Sequence, residues 1–283
     1  MAGNPGREID KTHLSIDMAE ERCIIHRDYL AHCLRWSHVA RHVGKLQASK
    51  HHVCVLDVGC GREVPLAKTL YTNRMAPYGY LGVDANVLET PHMLRRLEWL
   101  ELLGGTDFTQ VDTTKLVAGP RGMEPNVVVC FECLEHVAPS KCREMVVKMR
   151  DVLVLSLSGR LFVSTPCWNG SAADNHVNEM TYEALGALLE DVGLRVRGVW
   201  GTFASIGDYQ KLLTDAQREM FVKLHEYYDT NALSVLFAPL FPEVARNCLW
   251  ELVLDGNVSR RFPRLSETPG PWSQHPDWRE LAG

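Results

Sequence analysis

The sequence predicts a doubly wound α/β fold: a seven-stranded, mostly parallel sheet with helices on both faces. Three observations carry that expectation. Short apolar runs alternate with stretches of helical periodicity along most of the chain. The run at 53–58 enters two closely spaced glycines, Gly59 and Gly61. Two later runs end on acids, Asp84 and Asp112. Strands separated by helix-length segments need crossover connections, which set the strands parallel and cover both faces of the sheet.

Taken in order, the residues up to about 50 read as helix, because Tyr29, Cys33, Trp36, Ala40 and Val43 recur on one face. His38 and His42, four apart, read as two surface histidines and not as a metal pair, since no third ligand lies near. Strands are expected at 53–58, 78–83, 107–111, 126–131 and 160–165, with a sixth at 194–200 and a seventh at 248–254. Helices are expected at 64–71, 91–103, 140–155 and 181–192. A helical insertion at about 205–245 has its core at 208–228, with Leu212, Leu213, Met220, Phe221 and Leu224 as its apolar face. The chain thus divides into an N-terminal helical cap (1–50), a main domain (51–259) and a tail rich in proline and tryptophan (260–283).

Composition narrows the function classes. A chain of 283 residues that is 46% hydrophobic can bury a substantial core in one domain. The net charge of −5 argues against binding a polyanion through bulk electrostatics. The start of the chain lacks the apolar segment of a signal peptide, and no stretch is apolar enough to span a bilayer. The nine cysteines then read as reduced thiols, and the expected setting is cytoplasmic with no membrane partner. No oligomeric state is legible.

The sharpest motif is Val55-Leu56-Asp57-Val58-Gly59-Cys60-Gly61. Glycines are needed where the backbone turns tightly and a ligand must approach without a Cβ in the way. The dinucleotide fingerprint G-x-G-x-x-G fails, because Val64 stands three residues after Gly61. Asp84, ending the second run, is suited to accept hydrogen bonds from both ribose hydroxyls of an adenosine ligand. Asp112, ending the third, is suited to meet an adenine amine.

On these residues, about 53–200, the chain resembles the class I S-adenosylmethionine-dependent methyltransferases. The resemblance implies their Rossmann-like fold and S-adenosyl-L-methionine as cofactor. It assigns the methionine end to Asp57, Gly59 and Gly61, the ribose to Asp84, and the adenine to Asp112 and Thr113. Glu63 departs from the family pattern, standing where many members have a third glycine.

A second motif follows the fourth strand: Phe131-Glu132-Cys133-Leu134-Glu135-His136. If the chain turns helical there, Glu132, Glu135 and His136 share one face, a ligand set suited to Mg²⁺ or Mn²⁺. A fourth ligand, His176, is available from the loop 174–179, which leaves the same sheet edge. This E-x-x-E-H with a later histidine resembles the small-RNA 3′-terminal ribose 2′-O-methyltransferases and the ubiquinone-pathway O-methyltransferases. Both act on one hydroxyl of a vicinal pair. Without a metal, Glu135 and His136 are the candidate catalytic residues, with His136 the base. Cys130 and Cys133 form a C-x-x-C with no partner pair, and read as small core residues.

The expected acceptor is a hydroxyl of a small molecule, a sugar or a phenolic ring. The alternative is the ribose at an RNA 3′ end, which needs a basic face from Arg95, Arg96, Lys141, Arg143, Lys148 and Arg150. A third reading, a non-catalytic cofactor-binding or partner subunit, goes with loss of Asp57 or Gly59, and both are present.

Overall fold

The structure is a computed structural model and describes residues 27–118, 122–153, 159–168, 170 and 172–254. A long helix α1 (Arg27–Ala48) precedes β1 (Cys54–Val58), α2 (Pro65–Thr72), β2 (Gly79–Val83) and β3 (Leu100–Leu103). Then come α3 (Thr113–Ala118), β4 (Val127–Phe131), α4 (Pro139–Leu153), β5 (Arg160–Pro166), α5 (Tyr182–Asp191) and β6 (Leu194–Phe203). Three helices, α6 (Ile206–Tyr209), α7 (Asp215–His225) and α8 (Thr230–Leu236), lead into β7 (Asn247–Leu254).

The strands form one seven-stranded sheet in the order β3-β2-β1-β4-β5-β7-β6, bearing out the doubly wound, mostly parallel expectation. β1 to β5 run parallel, and β7 is antiparallel to both β5 and β6. Helices α1 and α2 bury Val39, Val43, Leu66 and Leu70 against Val55, Val129 and Phe162 on one face. Helices α4 and α5 and the insertion bury Met149, Leu189 and Leu233 with Leu56, Val128 and Val163 on the other. With both faces covered, β1 and β2 are buried at every position, which is why they read as continuous apolar runs and not as alternating ones. Among the described residues no helix is long and apolar enough to cross a membrane.

The third strand is a correction. Residues 91–103, expected to be helical, hold a single 3-10 turn (His92–Leu94) and then β3. The expected strand at 107–111 is instead a 3-10 turn (Phe108–Gln110), capped by the Asp107 carboxylate on the Thr109 amide at 2.9 Å. The leucine spacing favours helix, but the open edge of β2 offers backbone partners: Tyr80 N donates to Trp99 O at 2.7 Å and Asp84 N to Leu103 O at 3.0 Å. Satisfying those groups outweighs a weak local preference.

Two smaller corrections concern faces. In the insertion, Leu213 is buried and Phe221 and Leu224 pack on the core, but Leu212 and Met220 are 41% and 57% exposed. On α1, Ala40 and Val43 are buried as expected, yet His32 and Arg35 are buried with them. His38 and His42 turn toward the sheet and are not surface residues. His38 lies tilted against Trp200, with ring centres 4.5 Å apart, and reaches Glu251 at 3.6 Å, and His42 meets Phe162 edge-on. Burial brings His42 down to about 4 and keeps it neutral. The tail at 260–283 lies outside the described residues.

Candidate functional site

Gly59 and Gly61 both adopt left-handed backbone, at φ +70° and +73°. A Cβ on Gly59 would stand 2.8 Å from Cβ and Sγ of Cys133, so glycine is required there for space as well as conformation. The turn is closed by Gly59 N and Cys60 N donating to Val83 O at 2.8 and 3.2 Å. The third left-handed residue is Val64 (φ +51°, the residue before α2), not Glu63. A buried β-branched residue in this region marks strain at the turn.

Asp84 sits immediately beyond β2 with its carboxylate divided between two loops. Oδ2 accepts from Gly61 N at 2.9 Å, and Oδ1 from Asn86 N at 2.8 Å. Asp57, inside β1, is buried and accepts a hydrogen bond from the Tyr80 hydroxyl. Burial, opposed by that bond, raises the Asp57 carboxyl to about 7, with the nearby Asp84 charge adding to the rise. Tyr80 was not foreseen from the sequence, where it reads only as an apolar strand residue.

Asp112 and Thr113 lie outside any strand. Asp112 is exposed, and its Oδ1 caps α3 through the Thr114 amide at 2.9 Å, which lowers its pKa. Their loop is held from α4. Lys148 Nζ donates to Thr109 O at 2.9 Å and to Val111 O, and its ammonium lies 5.4 Å from the Phe108 ring centre.

Beyond β4 the chain makes one 3-10 turn (Leu134–His136), so the expected common helical face for Glu132, Glu135 and His136 does not form. Glu132 takes a left-handed φ of +50°. Its carboxylate accepts from Ser164 Oγ at 2.7 Å and from Asn247 Nδ2 at 2.9 Å to each oxygen. The structure instead brings Glu135, His136 and His176 together, each with a ligand atom within 4.8 Å of the others.

The loop bearing His176 reaches this place because the Glu135 carbonyl accepts from Val177 N and Asn178 N at 2.8 and 3.0 Å. Glu135 itself is only 1% exposed and accepts from Thr165 Oγ1 at 3.1 Å. Burial and the neighbouring Glu132 charge push its carboxyl well above the usual range.

Both imidazoles are oriented from behind. His136 Nδ1 faces the Asn175 carbonyl at 3.1 Å, and His176 Nδ1 contacts the Glu179 carboxylate. Each partner accepts a hydrogen bond from Nδ1–H and so leaves Nε2 as the free lone pair, the arrangement usual behind metal-bound histidines. His136 Nε2 lies 3.9 Å from Glu135 Oε1, and the two rings are 4.8 Å apart. The i, i+3 spacing of His176 and Glu179 was the one sequence signal for this second layer. A buried carboxylate with two oriented imidazoles fits an ion such as Mn²⁺ or Mg²⁺.

No protein-family model and no curated protein matches the chain. Among solved structures it is similar to a SAM dependent methyltransferase from Archaeoglobus fulgidus, at 15% identity and TM-score 0.47, over 83% of this chain and 97% of that one. It is similar to the methyltransferase domain of bacterial-CtHen1-CN, at 16% identity and TM-score 0.47, over 79% of this chain and 100% of that one. It is also similar to the mitomycin 7-O-methyltransferase MmcR, at 15% identity and TM-score 0.43, over 72% of this chain. The chain spans about half the length of that last protein, 49% of it.

Proposed function

We propose that the chain is an S-adenosyl-L-methionine-dependent methyltransferase acting on a hydroxyl of a small molecule, a sugar or a phenolic ring. One observation carries this reading. A glycine turn pinned to Asp84 and the Glu135–His136–His176 cluster occupy the same carboxyl edge of the sheet, where open α/β sheets bind ligands.

In this reading Gly59 and Gly61 leave room for the methionine end of the cofactor, with Asp57 beneath them. Asp84 takes the ribose hydroxyls. Asp112, with Oδ1 committed to its helix, offers Oδ2 to the adenine amine, and Thr113 stands beside it. Glu135, His136 and His176 would hold Mg²⁺ or Mn²⁺. A bound metal supplies a lowered hydroxyl pKa and a fixed direction of attack. The acceptor oxygen bonds to the methyl carbon as the carbon–sulfur bond breaks, and the sulfonium leaves as a neutral thioether. The hydroxyl proton goes to His136 Nε2 where that nitrogen carries no metal, and otherwise to solvent.

A small acceptor is favoured over RNA because four of the six cations named for a basic face are already engaged. Lys141 pairs with Asp107, and Lys148 holds two carbonyls. Arg150 holds Asp151 and the Val192 carbonyl, and Arg95 holds the Thr90 carbonyl. An RNA-binding face needs cations free for phosphates.

The test is incubation with methyl-labelled S-adenosylmethionine and a fractionated extract, with and without EDTA. Label in small molecules supports the reading, and label in RNA replaces it with the ribose reading. Label in no fraction, with no affinity for the cofactor, sinks both. Transfer that survives EDTA removes the metal and leaves His136 as the base.

A further inference from the structure

Arg35, in the middle of α1, is only 1% exposed, and its charge lies within the fold. Its Nη1 donates to Asn247 Oδ1 at 2.9 Å and Nη2 meets His32 Nδ1 at 2.6 Å, while Nη1 lies 3.4 Å from Glu132 Oε1. Asn247 opens β7 and turns its other amide atom, Nδ2, onto both Glu132 oxygens at 2.9 Å. Ser164 of β5 donates to the same carboxylate at 2.7 Å. Three segments of the chain, α1, β5 and β7, therefore converge on one carboxylate.

That carboxylate starts the segment on which the site depends. Glu132 is left-handed, Cys133 is the residue packed against Gly59, and Glu135 and His136 follow directly. Glu132 is also near enough to Glu135 for their like charges to interact. A partly buried carboxylate, 15% exposed, is stabilised by a cation and donors, and Arg35, Asn247 and Ser164 supply them.

We propose that Glu132 is a positioning residue and not a metal ligand. Paired with Arg35 and held by Asn247, it anchors the segment 132–136 to α1 and leaves a three-residue metal site of Glu135, His136 and His176. The three-ligand half rests on the metal reading above, whereas the anchor half does not. Those three side chains would hold the cation and leave the rest of its oxygen shell to the acceptor hydroxyl and water. Helix α1 thereby supports the reaction centre without touching a reacting atom.

The test uses the full chain and two readouts. In a Mn²⁺ titration followed by electron paramagnetic resonance, Glu135→Gln and His176→Ala should lose about 30-fold or more in affinity, and Glu132→Gln less than about threefold. A folded Glu132→Gln protein that loses as much as Glu135→Gln overturns the three-ligand site.

The second readout is Tm. Arg35→Met should lower Tm by stranding the Glu132 charge, Arg35→Lys should restore part of the loss, and adding Glu132→Gln to Arg35→Met should raise Tm again. Glu132→Gln alone should lower Tm or leave it unchanged, and strictly additive losses overturn the anchor. If the unaltered chain binds no Mn²⁺, the metal reading and the three-ligand site fall together, and the Tm cycle still decides the anchor.

Discussion

The amide of Gly61 donates to Asp84 Oδ2 at 2.9 Å, so the turn after β1 and the acid after β2 form one unit. In the proposed reading the same carboxylate shapes the glycine turn and receives the ribose. Asp84→Ala should therefore weaken S-adenosylmethionine binding by about 100-fold, the loss of two charge-assisted hydrogen bonds. Asp84→Asn keeps an acceptor for Gly61 and should fall between the two. Calorimetric titration reads both variants, and unchanged affinity in Asp84→Ala removes its role.

Asp57 makes a prediction about pH. Its carboxyl rises from an ordinary value of 3.8 to about 7 in the folded chain, chiefly through burial. A group whose folded pKa is raised favours folding while it is protonated in both states. That contribution is complete below about 4 and disappears as pH climbs toward 7. Asp57→Asn lacks the titration but still accepts from Tyr80. The Tm of the unaltered chain minus that of Asp57→Asn should therefore fall between about pH 4 and pH 7, by several degrees, and level off above that. A difference that stays flat across this range contradicts the raised carboxyl.

Gly59 and Gly105 separate conformation from space. Both have positive φ, +70° and +65°, but a Cβ at Gly105 would meet nothing within 4 Å, whereas at Gly59 it would collide with Cys133. Gly105→Ala should cost about 1 kcal/mol, the left-handed backbone alone. Gly59→Ala adds the displacement of Cys133 and with it the segment to Glu135, and should cost about 3 kcal/mol. Urea unfolding of the two variants measures the difference, and equal losses would mean the collision relaxes freely.

The parts of this molecule legible in the sequence are those where local pattern and tertiary role agree. β1 and its glycines, β4, β5 and the helices α2 and α4 carry strong apolar runs and end close to where the pattern ends them. β3 reads as helix because Leu94, Leu97 and Leu100 recur at a spacing of three, and the open edge of β2 that recruits Leu100 and Leu102 is not a local property. Asp112 followed that error, since its place depended on a strand ending beside it. Glu132, Glu135 and His136 were read as one helical face, but the left-handed φ at Glu132 sends its carboxylate to Asn247 and leaves the others to His176. Arg35 was passed over because an arginine on a helix is ordinarily solvated, and its partners Glu132 and Asn247 lie 97 and 212 residues away. Contacts over such separations leave no periodicity to read.

Glu179 tests whether the His176 orientation matters. Its carboxylate, 6% exposed, contacts Nδ1 of His176, itself 10% exposed, and also accepts from the Ala173 amide at 3.4 Å. A carboxylate there fixes the tautomer that keeps Nε2 unprotonated and makes the imidazole a stronger donor to a cation. Glu179→Gln retains the shape but removes the charge and presents an amide able to donate to Nδ1, which would shift the ring proton to Nε2. Mn²⁺ affinity should then drop about tenfold while affinity for S-adenosylmethionine stays the same. Raising the Mn²⁺ concentration should recover methyl transfer in Glu179→Gln but not in His176→Ala, which lacks the ligand itself. If the two variants bind Mn²⁺ equally well, Glu179 only braces the loop and His176 is not a ligand.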